Sequence, residues 1–504
     1  SFIWGPDGWL YGCHGVFTHS QVGQPGAKES ERVKINAGVW RYHPTRRVFE
    51  RFAEGTSNPW GVDFNEHGQA FVTACVIPHL YHMIQGGRYQ RQAGQHFNPH
   101  TYDDIKTIAK HRHWVGNQWN NADRAKSDDN GGGHAHAGAM LYLGGHWPTK
   151  YRNQLFMNNI HGARLNQDQL TASGSGYVGD GAPDFCLAND TWSQILYLTY
   201  GPDGNVTMID WYDRNQCHHG NVPGHDRGNG RIFKINYGQT KPVIVDLKKL
   251  SDRELVELQL HANQWYVRHA RRILQERATE KQLDTSVKTQ LLKQFAAQDD
   301  PVKQLHCLWA LHAIDQLDAD FLREQLNAKA APVRAWTVQL LMDGRYEAAR
   351  DNALLTALAK NESSPLVRLY LAAALQRMPV AERWPLAQAL VAHAEDAQDH
   401  NLPLLLWYGI EPLVMTDPAQ AFALSESSQI PLVARYIARR AAADEAGYDA
   451  LLTALAAAPE AKQLWMLEEI VAALQVRANT KMPQAWQTTY DRLLATKNAA
   501  ILQQ

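Results

Sequence analysis

Residues 195–209 read ILYLTYGPDGNVTMI, in which two apolar stretches flank the tetrapeptide Gly-Pro-Asp-Gly. Residues 2–11 have the same order, FIWGPDGWLY. Proline presets φ at the first central position of a turn and glycine accepts positive φ, so each segment predicts two strands joined by a tight turn. Segments 62–73 and 139–157 also show a strand, a glycine-bearing turn and a second strand, with a longer turn in the latter.

Recurrence of this strand pair at intervals of about 55–80 residues predicts a β-propeller whose blades carry inserted loops. The four segments predict four visible blades within residues 1–240. Ser1 lies within a strand-like stretch and no signal peptide is recognisable, so we expect an internal fragment, a propeller truncated at its N-terminus by one or more blades.

From residue 246 onward the sequence has helical periodicity and is rich in Ala, Leu, Gln and Arg, whereas all but three of the 35 glycines lie before it. Prolines recur about every 33 residues, each followed by apolar residues, and proline is well tolerated in the first turn of a helix. The positions are Pro301, Pro332, Pro365, Pro403 and Pro431. This spacing predicts a HEAT-like α-helical solenoid over residues 246–504, so the fold class is multidomain β plus α.

Composition excludes several classes of function. The chain has 504 residues, with 50 Lys and Arg against 51 Asp and Glu, and this balance argues against nucleic-acid binding. We find no apolar run long enough for a membrane span in the sequence. The five cysteines form no Cys-x-x-Cys-His, so this chain carries no c-type haem of its own.

Propeller geometry predicts where a site lies. Residues just before the first strand of each blade, or just after the second, are expected to converge at one mouth of the central channel. Such a mouth collects imidazoles, indoles and carboxylates, the composition of a binding or catalytic site. The residues in these positions are Cys13, His14, Trp60, Cys75, His134, His136, His161, Trp192, Asp210 and Asp213.

The histidines and cysteines each have two interpretations. His134 and His136, at i and i+2, are either metal ligands on one strand face or hydrogen-bonded loop residues. The pair at 218–219 follows Cys217 in a polar loop, where a surface role is favoured over ligation. Cys13 and Cys75 end equivalent strands of adjacent blades, so they form either a disulfide or two buried thiols.

The aromatic and acidic candidates also have two interpretations each. Trp60 and Trp192 either stack on a ring-shaped ligand or fill the core between blades. Asp210 and Asp213 either bind a cation or substrate or cap the turns at the ends of strands.

Several longer motifs resemble one protein family. They include NPWG at 58–61, GGRY at 86–89, QHFNP at 95–99 and MNNIHG at 157–162, together with the His-rich stretch 133–136. These motifs resemble the membrane-bound dehydrogenases of the Planctomycetes–Verrucomicrobia group, also called PVC-type haem-binding proteins. The resemblance spans nearly all of residues 1–240, and the helical array that follows is consistent with it.

That resemblance implies a propeller related to the glucose/sorbosone dehydrogenases, whose cofactor is pyrroloquinoline quinone (PQQ) with Ca²⁺. It also implies a periplasmic or secreted, membrane-associated location. A c-type haem domain often follows the HEAT repeats in this family, and here it would lie beyond Gln504.

The function implied is a quinoprotein-like dehydrogenase that oxidises a sugar or other alcohol and passes electrons to a cytochrome-type acceptor. A histidine would take the hydroxyl proton while hydride passes to the quinone. The candidate bases are His14, His134 and His136, and the candidate cofactor-binding residues are Trp60, His161, Trp192, Asp210 and Asp213. The alternative is a non-catalytic propeller that binds a carbohydrate or metal, with the helical array as an interaction scaffold.

Overall fold

A computed structural model describes residues 1–75, 78–116, 124–215, 222–226, 228–475, 482–483 and 485–504. It combines β sheets in the first half of the chain with many helices in the second. The strands are Phe2–Trp4 (β1), Leu10–His14 (β2), Ser20–Val22 (β3), Val33–Ile35 (β4), Gly38–His43 (β5), Val48–Thr56 (β6), Asn58–Phe64 (β7), Ala70–Cys75 (β8), Leu80–Met83 (β9), Arg88–Arg91 (β10), His136–Leu141 (β11), Leu155–Asn159 (β12), Arg164–Ser173 (β13), Gly176–Gly181 (β14), Cys186–Leu187 (β15), Ile195–Tyr200 (β16), Val206–Asp210 (β17) and Arg231–Ile235 (β18).

The helices are Arg124–Ser127 (α1), Asp252–Glu257 (α2), Gln264–Thr279 (α3), Val287–Ala296 (α4), Pro301–Ala313 (α5), Ala319–Gln325 (α6), Ala331–Met342 (α7), Ala348–Asn361 (α8), Pro365–Leu375 (α9), Trp384–Leu390 (α10), Leu402–Thr416 (α11), Pro418–Ser427 (α12), Pro431–Ala442 (α13), Tyr448–Ala457 (α14), Glu460–Leu474 (α15), Trp486–Ala495 (α16) and Ala499–Gln503 (α17). Within the described ranges, none of these helices combines the length and apolarity needed to cross a bilayer.

Four sheets contain the predicted strand pairs. Their strand orders are β1-β2-β5-β6-β10, β7-β8-β9, β11-β12-β13-β14 with β15 on β13, and β16-β17-β18. Strands β3 and β4 form a separate pair. The first two strands of each of the four sheets are antiparallel neighbours, as the sequence predicts.

The turns follow from local chemistry. Gly8, Gly68 and Gly204 each donate a backbone hydrogen bond to the carbonyl three residues earlier, and each has a φ between 72° and 80°. A residue with a Cβ is strained at such φ values, so glycine fixes where each strand pair reverses.

The sheets pack side by side through their first strands: β7 lies against β2 and β11, and β11 lies against β16. A Cβ on Gly61 of β7 would lie 2.3 Å from the carbonyl carbon of Gly138 of β11, so glycine permits this close approach. One apolar core lies around Phe71 and Leu141, and another around Phe156 and Leu198. This is the packing expected between neighbouring propeller blades.

Proline opens helices as the sequence predicts. Pro301, Pro365, Pro403 and Pro431 lie in the first turn of α5, α9, α11 and α13, and Pro332 is the second residue of α7. Helix α9 packs on α11, α11 on α13, and α13 on α15. The assignment of this array to the HEAT class stays a prediction.

Contacts divide the chain into two compact units, unit 1 with residues 1–96 and 106–333, and unit 2 with residues 97–105 and 334–504. In unit 2, Trp407 and Tyr408 of α11 donate side-chain hydrogen bonds to the carbonyls of His100 (2.9 Å) and Asp103 (2.8 Å). The domain limits 1–240 and 246–504 stay a sequence-based prediction.

Candidate metal centre

Four side chains from three parts of unit 1 converge in its interior. His79 immediately precedes β9, and Asp168 lies in β13. His111 and His113 belong to the segment between β10 and α1. Strand β9 belongs to the second sheet (β7-β8-β9) and β13 to the third (β11-β12-β13-β14), and the segment with His111 and His113 lies between these two strands in the sequence.

Backbone hydrogen bonds hold the segment that carries His111 and His113. The amide of Ile108 donates to the carbonyl of Leu80 in β9. The amide of Gly179 in β14 donates to the carbonyl of Ile108, and the amide of Lys110 donates to the carbonyl of Gly179. The segment therefore bridges β9 and β14, and this bridge brings its imidazoles to Asp168.

The side-chain distances define a compact cluster. Nε2 of His79 lies 2.9 Å from Oδ2 of Asp168, and Nε2 of His111 lies 3.2 Å from Oδ1. Nε2 of His113 lies 3.9 Å from Oδ1 of Asp168 and 3.0 Å from Nε2 of His111. All four ligand atoms lie within 4.8 Å of one another. Ligands of a tetrahedral ion with bonds near 2.1 Å lie about 3.4 Å apart, so these distances suit a metal centre.

The cluster is buried on most sides. Asp168 is fully buried, His79 and His113 are nearly so, and the side chain of His111 is 24% exposed. Burial of an anion is costly unless cations or a metal ion compensate it. His111 therefore marks the side from which solvent reaches the cluster.

The electrostatics favour an ionised Asp168. Burial by itself raises the pKa of Asp168, but the charge of His79 and hydrogen bonds from His111 and His79 hold it well below its usual value. Burial lowers the pKa of His113. Burial also acts to lower the pKa of His111, but the hydrogen bond to Asp168 and the charge of Asp168 outweigh it and raise that pKa. The carboxylate and the neutral His113 are thus in the protonation states that bind metal, whereas His111 must lose its proton when an ion binds.

His136, at the start of β11, contacts the cluster through His113. Its Nε2 is 2.8 Å from Nδ1 of His113, and burial lowers the pKa of His136 well below its usual value. Cys75 donates its thiol proton to the carbonyl of His136 at 2.8 Å, which fixes the backbone there. When Nε2 of His113 faces the ion, its Nδ1–H donates to His136, a contact typical of a metal-bound imidazole.

Glycine makes room for His113. Gly131 has a φ of 104°, and a Cβ there would lie 2.6 Å from Cδ2 of the His113 ring. Its carbonyl accepts hydrogen bonds from the amides of Asn159 and Asn166. The imidazole therefore lies against backbone rather than against a mobile side chain.

Other candidates from the sequence lie beside the cluster. The rings of His134 and His161 meet edge to face, with centroids 4.6 Å apart. Trp60 packs on the buried residues Ala135, Ala137 and Ile160, which flank the histidines. His14 lies in the first sheet, with its ring nitrogens near the carbonyl of Gly15 and the hydroxyl of Ser20.

The fourth sheet holds the remaining candidates. Asp210 accepts hydrogen bonds from the backbone of Gln194, the hydroxyl of Ser193 and the guanidinium of Arg231. Asp213 contacts the ring of His225 at 3.2 Å. The Trp192 ring lies 5.4 Å from that of Tyr212.

The described cysteines, Cys13, Cys75, Cys186 and Cys307, are free thiols, so the two that the sequence offers as a disulfide are not bonded here. Cys217 and the histidines at 218–219 lie outside the described residues. The roles predicted for His14, His134, His136, His161 and the Trp and Asp candidates stay predictions.

Sequence reasoning missed His79, His111, His113 and Asp168 as a group. The pattern His-x-His at 111–113 repeats that at 134–136 and was an available signal. His79 follows Pro78 just before a strand, whereas Asp168 lies in a strand with no local signal.

Comparisons with known proteins give low similarity. No curated protein matches the chain significantly. Matching solved structures include a putative glucose dehydrogenase-type oxidoreductase of Thermus thermophilus, with 16% identity, a TM-score of 0.28, and coverage of 46% of this chain and 63% of that one. The PQQ-bound aldose sugar dehydrogenase of Streptomyces coelicolor has 13% identity, a TM-score of 0.29 and coverage of 46% and 60%.

A third structure, of a glucose dehydrogenase, has 14% identity, a TM-score of 0.28 and coverage of 47% of this chain and 64% of that one. The chain thus spans about three fifths of the length of each of these structures. The PVC-type relationship stays a prediction. One family profile, described as a domain of unknown function (DUF7133), matches residues 1–239, which end just after β18.

Proposed function

We propose that unit 1 is a metal-dependent enzyme of the oxidoreductase type, with a transition-metal ion held by His79, His111, His113 and Asp168. The observation that carries this proposal is the convergence of three imidazoles and one carboxylate within 4.8 Å in the protein interior. The sequence resemblance to dehydrogenases supports the reaction class.

The donor set indicates the class of ion. Imidazole suits Zn, Cu, Fe and Ni, and a carboxylate adds affinity for Mn and Fe. Calcium prefers six to eight oxygen ligands, so the Ca²⁺ implied by the family resemblance does not suit this centre. The ion, when bound, supplies Lewis acidity and, if it is Fe, Mn or Cu, one-electron redox chemistry.

Each ligand residue has a separate role in the proposed centre. Asp168 supplies the negative charge, and the buried His79 and His113 fix the position of the ion. The exposed side of His111 gives a small molecule access, and we place a sugar or other alcohol substrate there. A cytochrome-type electron acceptor and a periplasmic or secreted location remain part of the proposal.

Asp210, one of the residues predicted to hold the cofactor, is engaged with Arg231. Arg231 pairs with Asp190 at 3.3 Å and Asp210 at 3.1 Å, and its guanidinium lies 3.5 Å from the centre of the Tyr212 ring. A tricarboxylate such as PQQ needs cationic partners, and here the two aspartates neutralise that cation. Arg231 therefore does not fit the role of a cationic partner for the carboxylates of the quinone.

Metal analysis of the purified full chain tests the proposal. We expect about one transition-metal ion per chain and its loss on dialysis against a chelator at mildly acidic pH, because imidazoles bind metal only when neutral. Reconstitution with Co²⁺ gives a visible spectrum that reports the coordination. If the ion has an open coordination position that faces solvent, added azide shifts this spectrum. We also expect the protein to reduce a dye with alcohols or aldoses as substrates, and to do so only when the metal is bound. Failure of the chain to bind any such ion would refute the proposal.

The burial of three ligands favours a second candidate, a structural metal site without catalysis. Structural ions have a full set of protein ligands, whereas catalytic ions keep a position for water or substrate. In that case azide leaves the Co²⁺ spectrum unchanged, and metal removal lowers the thermal stability without affecting any turnover.

His136→Phe is expected to weaken metal affinity by about 10–100-fold, because it removes the hydrogen-bond partner of His113 without touching the ion. His136→Gln, which retains an acceptor, should recover part of that affinity. Competition with a chromophoric chelator measures both. His14→Phe, in the first sheet, is the control and should bind metal as the wild type does. Wild-type affinity in His136→Phe would show that His136 does not position the ligand.

A further inference from the structure

A cavity lies inside unit 2, among α13, α14, α15 and α16. Helix α15 packs on α13 and α16 packs on α14, and the cavity lies where these two pairs meet. Its volume is about 240 Å³. Protein interiors contain few voids larger than a water molecule, so a cavity of this size is a candidate binding site.

The floor of the cavity is apolar and closed. It is formed by four residues, Ala442 at the end of α13 and Tyr448, Leu451 and Leu452 of α14. These residues are at most 7% exposed. Solvent therefore does not reach the cavity from the side of α13 and α14.

The opposite side of the cavity forms a rim that solvent reaches. Ile470 and Leu474 of α15 and Trp486 of α16 are half-buried. Met482 is 73% exposed. The amide of Trp486 donates to the carbonyl of Pro483 at 3.0 Å, and this turn begins α16 beside the rim. A molecule that enters here covers apolar side chains that are otherwise exposed.

The chemistry of the lining selects hydrocarbon. Among the described residues, the side chains that line the cavity are aliphatic, aromatic or thioether groups, without a charge or an amide. Sites for polar ligands use a few placed polar groups to fix the orientation, whereas apolar cavities stay dry and bind apolar molecules. A water-soluble ligand of this cavity must therefore keep its polar part outside the rim.

The volume limits the length of the hydrocarbon. A methylene group occupies nearly the volume of one water molecule in the liquid, about 30 Å³, so the cavity holds about eight of them. Drug-sized ligands need pockets of about 300–1,000 Å³, so a single chain suits this cavity better than a polycyclic molecule.

We propose that unit 2 binds the alkyl chain of a free single-chain amphiphile of medium length, about eight carbons, whose polar head stays in solvent. The chain enters between α15 and α16 and ends against the floor that Ala442 and α14 form. The site lies within unit 2 and does not depend on the metal centre.

Neutral n-alkyl glucosides from butyl to decyl are the probes, each below its critical micelle concentration. Isothermal titration of the full-length chain measures their affinities. We expect the affinity to rise about three- to fourfold for each added methylene up to octyl, the increment of one buried methylene group, and then to level off. Methyl glucoside has the same head without the chain, and it measures any recognition of the head alone.

Ala442→Leu fills part of the cavity from its floor. It should lower the affinity for octyl glucoside by at least about tenfold, because it displaces two or more methylene groups of the ligand, and it should not lower the thermal stability. Leu474→Gln, which places an amide at the rim, should also weaken binding. Leu494→Gln is the matched control, since Leu494 is 43% exposed on α16 and does not line the cavity.

Wild-type affinity in Ala442→Leu, or no binding of octyl glucoside to the wild type, would overturn the proposal. An affinity that continues to rise up to decyl would also overturn it, because the chain would then adsorb to the surface instead of filling a cavity. Binding to phosphatidylcholine vesicles without binding of octyl glucoside would indicate a membrane surface as the partner and refute a free amphiphile. Should Ala442→Leu fail to fold, the comparison of Leu474→Gln with Leu494→Gln decides: a loss in the former alone supports the site, and equal affinities refute it.

Discussion

Asp168→Asn should reduce metal affinity by at least about 100-fold, a larger effect than that of an outer-sphere residue. The substitution preserves the size of the side chain but replaces the anionic ligand with a neutral amide. It also removes the charge that Nε2 of His79 and of His111 face at 2.9 and 3.2 Å. Isothermal titration of the metal-free protein with Zn²⁺ or Co²⁺ gives the affinity directly.

Asp180→Asn is the matched control for this variant. Asp180 lies in β14, its side chain is half-exposed, and its contact with Lys110 is long, at 3.6 Å. It should bind metal as the wild type does. Retention of wild-type stoichiometry and affinity in Asp168→Asn would exclude this carboxylate as a ligand and with it the proposed centre.

Asp63→Asn should lower the free energy of unfolding of unit 1 by about 3–5 kcal/mol, the usual cost of breaking a buried ion pair from one side. Asp63 accepts Nη1 of Arg268 at 2.9 Å and the backbone amide of Leu141 at 2.8 Å, and it is almost fully buried. The pair thus connects α3 with β7 and β11. Denaturant unfolding, followed by hydrogen exchange of the β7 and α3 peptides, measures the loss.

The ion pair of Arg253 with Glu257 provides the comparison. Both side chains are exposed, so Arg253→Met should change the stability by less than about 0.5 kcal/mol. The double variant Asp63→Asn with Arg268→Met should be less destabilised than the sum of the single variants, because neither partner is then left alone in the interior. A loss below about 1 kcal/mol in Asp63→Asn would contradict the role given to this pair.

The positions of strand pairs and helices could be predicted because they depend on local chemistry. A turn with Gly-Pro-Asp-Gly reverses the chain whatever surrounds it, and Gly8 and Gly204 adopt the positive φ that this requires. Likewise a proline such as Pro365 restricts the start of a helix through its own ring.

The role of Asp210 shows a limit of such reasoning. Its position at the end of a strand is equally compatible with a ligand site and with a structural one. The structure pairs it with Arg231, which follows 21 residues later, and no local pattern distinguishes that partner from other arginines.

The sequence by itself determined the repeated strand pairs, the change to helices near residue 246 and the concentration of histidines in the first half. Only the tertiary structure decided which histidines meet. His79 and Asp168 are 89 residues apart, and they lie within 2.9 Å because a loop bridges β9 and β14. The physical reason is that a metal centre depends on distances between side chains, and those distances arise from packing of sheets rather than from spacing along the chain.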